Sequence, residues 1–538
     1  VSGEKIAAGI ISAAGASVVS AICLAFTFKG LNFELALTAL TIGLGGGILV
    51  FWHTRQNEVR RTTAWDILLF ALFAMASLRA FLWLIYPVGD EWRIISPYNL
   101  GDISLHIQFI RYFAGGVDFW PASPILTGVP LSYPLGTDLW NSLLLLVGVP
   151  VERGLIWTGL AGAALTGWAL WRWGGAFAIA AFLFNGGLAG FAILQTGQLQ
   201  DFQSELAWKN FFLTMLVTQR GLLYALPCGL LLLRAWRDDF FREGSGLPRS
   251  VQFFLYATMP FFSVHAFLFL SFALAAIFIF TPKSRLALFV FVVLAVAPAT
   301  AAIWLVTGGF SVSSGLRWLP GWMQGNGGWK FWAMNFGFTL PLLAWLFLKA
   351  AVRGDSESRA FCVLSLGVFL LCFLVAFAPW EWDNTKLLLW AWLVATPYLW
   401  SRVLEPLAPI LRTTLCMSLF FTGAVSLMAG LDGRHGYELA KKSELATARM
   451  ALMDVPPGTR IAVDPTFNHP VILLGYPVVC GYEGHLWSHG LHYEEALAKL
   501  RSVLRKEIGW LDTADGLGAE WVYFRGPTPL LQRVNESE

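Results

Sequence analysis

Gly89-Asp90-Glu91-Trp92 stands just outside an apolar run that ends near Tyr86, and a polar stretch from Arg93 to Asp138 follows it, carrying Asp102, His106, Arg111 and Asp118. Carboxylates beside a membrane boundary are either hydrated flank or the acid/base centre of a membrane-embedded enzyme. The rest of the chain decides between these, because its other unusual polar groups fall on the same side of the membrane.

Of the 538 residues, 57% are hydrophobic and 13% charged, and the mean hydropathy is +0.62. These are the values of an integral membrane protein. A spanning helix needs about 20 mainly apolar residues. Stretches of that kind recur from residue 6 to residue 430 and then stop. The net charge of +3 carries no nucleic-acid signal, since the basic residues sit in short loops. The first run, 6–28, comes after one Lys, lacks a small-residue cleavage site and reads as a retained helix. Cys480 is the one thiol in the polar C-terminal part, so no internal disulfide or zinc spacing is indicated there.

Lys and Arg mark cytoplasmic loops. Arg55, Arg60 and Arg61 lie in 53–63, Arg234, Arg237, Arg242 and Arg249 in 234–249, Lys283 and Arg285 in 281–285, and Lys349, Arg353 and Arg359 in 349–359. With these loops inside, 88–138, 308–330, 379–386 and everything after 430 face outward. Apolar runs near 6–28, 34–52, 65–86, 154–171, 175–194, 211–233, 286–306, 331–348, 361–378, 387–400 and 407–430 supply the spans. The run 139–149 is too short to cross upright. The run 251–280 is too long for one crossing, and it suits two short helices meeting at His265.

After residue 431 the character changes. A helix over 436–452, a turn at Pro456-Pro457-Gly458, short strands over 460–464 and 521–525, and an amphipathic helix over 493–508 with Leu497, Leu500 and Leu504 on one face are predicted. The fold class is thus mainly α: a polytopic transmembrane bundle of 11–13 spans over 1–430, with a small α/β soluble domain over 431–538 on the outer face. The short loops favour a bacterial inner membrane.

On the outer side, Asp102 and His106 share a helical face at i, i+4, with Ile103, Phe109, Ile110 and Phe113 directed at lipid; Asp102 alternatively only caps that helix. Pro379-Trp380-Glu381-Trp382-Asp383-Asn384-Thr385-Lys386 packs acids, an amide and a Lys before a span. Lys386 suits a lipid phosphate while Asp383 and Asn384 hold a sugar hydroxyl; the alternative is a plain Lys386–Asp383 ion pair. Arg220, in mid-span, costs at least about 2.5 kcal/mol to insert and calls for a phosphate in a cavity or an internal partner such as Glu205. Lys209 stands at the outer end of that run, and Arg317 lies in a Gly- and Trp-rich loop. His265, His485 and His489 are read as substrate-side histidines against ordinary buried ones, with a metal on His485 and His489 the lesser option.

The Gly89-Asp90-Glu91-Trp92 string after a span, the interfacial helix opening at Asp102 and the return Leu131-Ser132-Tyr133-Pro134-Leu135 resemble the GT-C superfamily of polytopic glycosyltransferases, of the protein O-mannosyltransferase and aminoarabinose transferase type. The resemblance implies Asp90 or Glu91 as catalytic base and a polyprenyl-phosphate sugar donor. Two extra spans precede the acidic string, and a Trp-Trp-Asp signature is absent, which argues against the oligosaccharyltransferase branch.

The residues fit that chemistry independently. Glycosyl transfer from a lipid phosphate needs a carboxylate to take the acceptor proton and cations to offset charge on the departing phosphate. Asp90, Glu91 and Asp102 supply the first; Arg220 and Lys386, with Arg317 or Lys209, supply the second. No GxGxxG or Walker sequence provides a soluble nucleotide site. The expected function is an inverting transfer to a glycan, lipid or protein acceptor at the extracytoplasmic face. No cofactor is assigned, and a divalent cation is left open. The alternatives are a transporter or flippase of a lipid-linked or anionic substrate, and a non-catalytic envelope polysaccharide assembly factor.

Overall fold

The computed structural model describes residues 3–55, 61–242, 244–309, 316–433, 436–526 and 529–534; Arg60 lies outside the described residues. The chain opens with a helical hairpin, α1 (Gly3–Phe28) and α2 (Phe33–His53). A capping box, in which Thr63 and Asp66 satisfy each other's backbone N–H, starts α3 (Ala64–Leu82). Strands β1 (Tyr86–Val88) and β2 (Glu91–Ile94) then form a hairpin around Gly89 and Asp90. Helices α4 (Leu100–Ala114) and α5 (Gly136–Leu146) follow, α5 being the short segment expected at 139–149.

The spans expected at 154–171 and 175–194 belong to one element, α6 (Val151–Leu183), broken at Gly175, whose φ of 69° suits a residue without Cβ. Its second leg is helical only to Leu183, well short of 194. The chain beyond, with the one-turn α7 (Ile193–Thr196), runs irregularly because side chains replace the helical ladder. Thr422 Oγ1 donates to Gly187 O at 2.6 Å and accepts from Gly190 N at 3.1 Å, and Asn185 Oδ1 accepts from Phe211 N at 2.7 Å.

Two further runs are broken. The 211–233 run is a π turn at Phe212–Val217 followed, after residues 218–221, by α8 (Leu222–Phe241). Arg220 therefore sits in the break and not in mid-helix. The 251–280 run is α9 (Arg249–Thr258), a tight turn and α10 (Val264–Phe280), where Ser263 caps the second helix by accepting from Ala266 N. His265 is the second residue of α10, close to the predicted junction.

Helices α11 (Arg285–Val306), α12 (Gly328–Phe336), α13 (Thr339–Arg353), α14 (Ser356–Leu374), α15 (Asn384–Leu399) and α16 (Pro409–Gly430) complete the bundle. Strands β3 (Leu316–Trp318) and β4 (Val375–Phe377) pair above α14. Among the described residues, seven helices are long and apolar enough to cross a membrane, or eight if α12 and α13, bent by 79°, make one span. The chain is an integral membrane protein. The higher sequence count came from α6 and the run containing α8, which are broken and largely buried, so they need not form uninterrupted apolar rods.

The basic loops meet at one end: Arg55 N donates to Gly246 O at 2.8 Å, Arg242 pairs with Glu357 at 2.9 Å and Arg402 with Asp355 at 2.8 Å. At the other end the first long loop and the C-terminal residues are built together. The predicted helix 436–452 is instead β5 (Tyr437–Lys441) followed by α17 (Lys442–Ala451). β5 adds to β2, giving a β1-β2-β5 sheet. A second sheet orders β6 (Ile461–Ala462), β7 (Trp521–Phe524) and β8 (Leu530–Arg533), β6 and β7 being parallel. Helices α18 (Pro470–Leu473), α19 (Glu483–Ser488), α20 (Glu494–Leu504) and α21 (Trp510–Gly516) complete the C-terminal part. Leu497 and Leu500 of α20 are buried as their spacing requires.

Candidate active site

Helix α4 carries the centre of the site. Asp102 lies in its first turn and His106 one turn on, so both point the same way. His106 Nδ1 stands 2.9 and 3.0 Å from the two carboxylate oxygens of Asp138 on α5. Tyr133, in the return between the two helices, lies with its ring 6.3 Å from that of His106 and 5.4 Å from that of His489. Gln219, in the break before α8, donates from Nε2 to Asp102 Oδ2 at 3.2 Å. Lys386 and Asp383, at the start of α15, pair at 3.0 Å.

These groups act on one another electrostatically. Burial raises the Asp102 carboxyl above its ordinary range, opposed by His106 and Lys386 and reinforced by Asp383. Burial likewise lowers the His489 pKa to about 4, against the pull of Asp383 and with the push of Lys386 and His106. His485 is lowered to about 3, again mainly by burial. The Tyr133 hydroxyl is raised by burial and by Asp138, Asp102 and Asp383.

Exposure separates the lining from its support. Asp102, Tyr133, Gln219, His265, Asp383, Lys386 and His489 are half-buried, whereas His106, Asp138, Arg220 and His485 are buried. The half-buried set comes from six separate parts of the chain, brought together around Asp102 by the contacts above. The cluster brings together a carboxylate with a raised pKa, imidazoles whose pKa burial lowers, and a lysine.

Arg220 is fully buried; its Nη2 donates to Leu155 O at 2.7 Å, while Nε and Nη1 have no hydrogen-bond partner among the described residues. Asp138 is the carboxylate that acts on it. Glu205, its partner on the sequence reading, acts instead on Lys209. Lys209 itself lies 5.2 Å from the Tyr98 ring, beside the Tyr98–Asp201 hydrogen bond, in a separate cluster.

Four other predicted residues lie elsewhere. Asp90 is exposed, its carboxylate bonded to Ser443 N and Oγ at 3.0 and 2.5 Å, which lowers its pKa. Glu91 pairs with Arg93 at 2.7 Å on β2. Arg317 pairs with Glu381 on the surface. Asn384 donates to Cys372 O and Val375 O and accepts from Phe377 N, so its amide holds β4 and not a sugar. Ile103, Phe109, Ile110 and Phe113, assigned to lipid, are at most 1% exposed, because α4 is enclosed by α5 and the C-terminal residues.

Sequence reasoning passed over Asp138 and Tyr133 as site residues. The available signals were an acid directly before the 139–149 apolar run and a Tyr-Pro in the return. Among the described residues no three His, Cys, Asp or Glu side chains gather at metal-holding spacing. Glu483, near His485, is taken by Arg501 at 2.7 Å.

No protein-family model matches the sequence, and neither does any curated protein. Among solved structures, the chain is similar to the oligosaccharyltransferase AglB from Archaeoglobus fulgidus in complex with an inhibitory peptide and a dolichol-phosphate. The TM-score is 0.39 at 11% identity, over 86% of this chain and 69% of that one. It is also similar to an Archaeoglobus fulgidus oligosaccharyltransferase tethered with an acceptor peptide, with a TM-score of 0.42 at 10% identity over 85% and 69%.

Proposed function

We propose that this chain is a GT-C-type membrane glycosyltransferase that moves a sugar from a polyprenyl-phosphate donor to an acceptor hydroxyl at the extracytoplasmic face, with inversion. The observation that carries the reading is Asp102: a half-buried carboxylate with a raised pKa that accepts from Gln219 and feels Lys386, Asp383 and His106.

In this mechanism Asp102 takes the acceptor proton as the acceptor oxygen bonds to the anomeric carbon. The bond from that carbon to the phosphate oxygen breaks, and the lipid phosphate leaves with the electron pair. Attack from the face opposite the leaving group inverts the centre. Lys386 offsets the charge growing on the phosphate, and Arg220 adds to the positive field from behind. Asp138 and His106 hold α4 in place, while Tyr133 and His489 wall the acceptor side. Asp90 and Glu91, which the family resemblance marks as the base, take part in this scheme only through the β1-β2 hairpin.

The test is sugar transfer by purified protein with a panel of polyprenyl-phosphate sugars, comparing Asp102→Asn and Asp90→Asn with the wild type. Turnover lost in Asp102→Asn and kept in Asp90→Asn supports the scheme. The reverse pattern returns the base to the hairpin. Substrate counterflow in liposomes without any turnover favours the transporter alternative.

A further inference from the structure

Arg111 sits on α4 nine residues after Asp102, about two and a half turns on, and therefore on the opposite face of the helix. That face borders a cavity of about 240 Å³, closed on the far side by Lys442, Leu445, Ala446 and Arg449, which are one face of α17. A second cavity of about 510 Å³ adjoins it, sharing Arg111, Arg449 and Leu474 and reaching Leu145 and Leu146 at the end of α5. Glu152 at the start of α6 is the one acid lining them among the described residues, 3.9 Å from Arg111.

We propose that this paired cavity binds the phosphate headgroup of a membrane lipid between Arg111 and Arg449, with the lipid chain lying against Leu145, Leu146 and Leu474. Two guanidiniums facing one space repel each other unless an anion lies between them, and Glu152 balances only one. Burial lowers the Arg111 pKa, Glu152 raises it, and Arg449 lowers it again, so the two arginines feel each other across the gap. Guanidinium forks match phosphate oxygens, and the remaining walls are largely apolar. An amphiphile satisfies both features; a soluble anion satisfies one. The site lies on the opposite face of α4 from Asp102 and does not depend on the transfer reading.

The experiment is native mass spectrometry of the full chain in detergent, with added phosphatidylglycerol or phosphatidylcholine. The wild type retains one phosphatidylglycerol in preference to phosphatidylcholine. Arg111→Gln and Arg449→Gln each weaken that retention about tenfold, and Arg449→Lys, which keeps the charge, restores much of it. Arg449 is exposed, so its variants test the site without disturbing the fold. Asp102→Asn retains the lipid like the wild type, which separates this site from the transfer centre. Equal retention by wild type and Arg449→Gln overturns the proposal. So does displacement of the lipid by inorganic phosphate at equal concentration, which would mark a soluble-anion site.

Discussion

His106 Nδ1 faces both carboxylate oxygens of Asp138, at 2.9 and 3.0 Å, across the α4–α5 contact and one turn from Asp102. A carboxylate so placed keeps the Nδ1 proton and fixes the ring plane. The pair is buried, so removing either partner strands the other. Asp138→Ala is predicted to lower stability by about 3 kcal/mol, read as a fall in unfolding temperature in detergent. His106→Ala and Asp138→Ala combined should cost clearly less than their sum. Strict additivity would mean the two residues act independently.

On the proposed mechanism, Asp102 should set the pH dependence of transfer. Its pKa is raised, and only its ionised form accepts a proton, so activity is lost as pH falls through that raised value. The acid limb of the kcat profile should therefore lie above the ordinary carboxylate value of about 3.9. Lys386 favours the ionised form, so Lys386→Ala should move the limb to still higher pH. Asp102→Asn should reduce kcat by about 10²- to 10⁴-fold. A limb that stays put in Lys386→Ala would remove Lys386 from the chemistry at Asp102.

His485 and His489 make stability pH-dependent below neutrality. Both have folded pKa values of about 3 and 4, below the unfolded value of about 6.5. Between those values the unfolded chain binds more protons than the folded one. Stability is then fully present above about pH 6.5 and falls as pH drops, by at most about 1.4 kcal/mol per pH unit for each histidine. Thermal unfolding from pH 7.5 to pH 5 should show this slope, and His485→Phe should flatten it. A slope identical in that variant would assign the acid sensitivity to other groups.

Gly423 of α16 packs closely against the backbone just past the end of α6. A Cβ there would lie 2.2 Å from Phe184 C and O and 2.5 Å from Asn185 O, all backbone atoms that cannot swing aside. Gly423→Ala should cost about 1–3 kcal/mol through overpacking. A thermal midpoint equal to the wild type would show that the crossing can open.

Much of this was legible because membrane helices need long apolar runs, which leave little freedom. Spans read at 6–28, 34–52 and 407–430 correspond to α1, α2 and α16 within three residues at each end. The i, i+4 pair Asp102 and His106 was likewise visible, since a helix alone brings the two together. Asp138 was not, because an irregular stretch separates it from His106. Nor could local pattern distinguish Asp90 from Asp102. One is exposed on a hairpin and the other enclosed by residues that come from as far as the C-terminal part. The strand at 437–441 read as helix for the same reason: its partner is β2, more than 300 residues earlier.

Asp66 joins two helices that the sequence reads as independent spans. It is 1% exposed. Its Oδ2 accepts from Thr63 N and Thr63 Oγ1, both at 2.8 Å, closing the box that starts α3. Its Oδ1 accepts from Ala176 N at 2.9 Å, immediately after the Gly175 break, and so caps the second leg of α6. One carboxylate thus serves two helix starts. Asp66→Ala should cost about 2–3 kcal/mol, two caps at once, whereas Thr63→Ala should cost about 1 kcal/mol. Thermal unfolding in detergent measures both. If Asp66→Ala proves no more harmful than Thr63→Ala, the bond to Ala176 does not hold the second leg, and Gly175 alone fixes the turn.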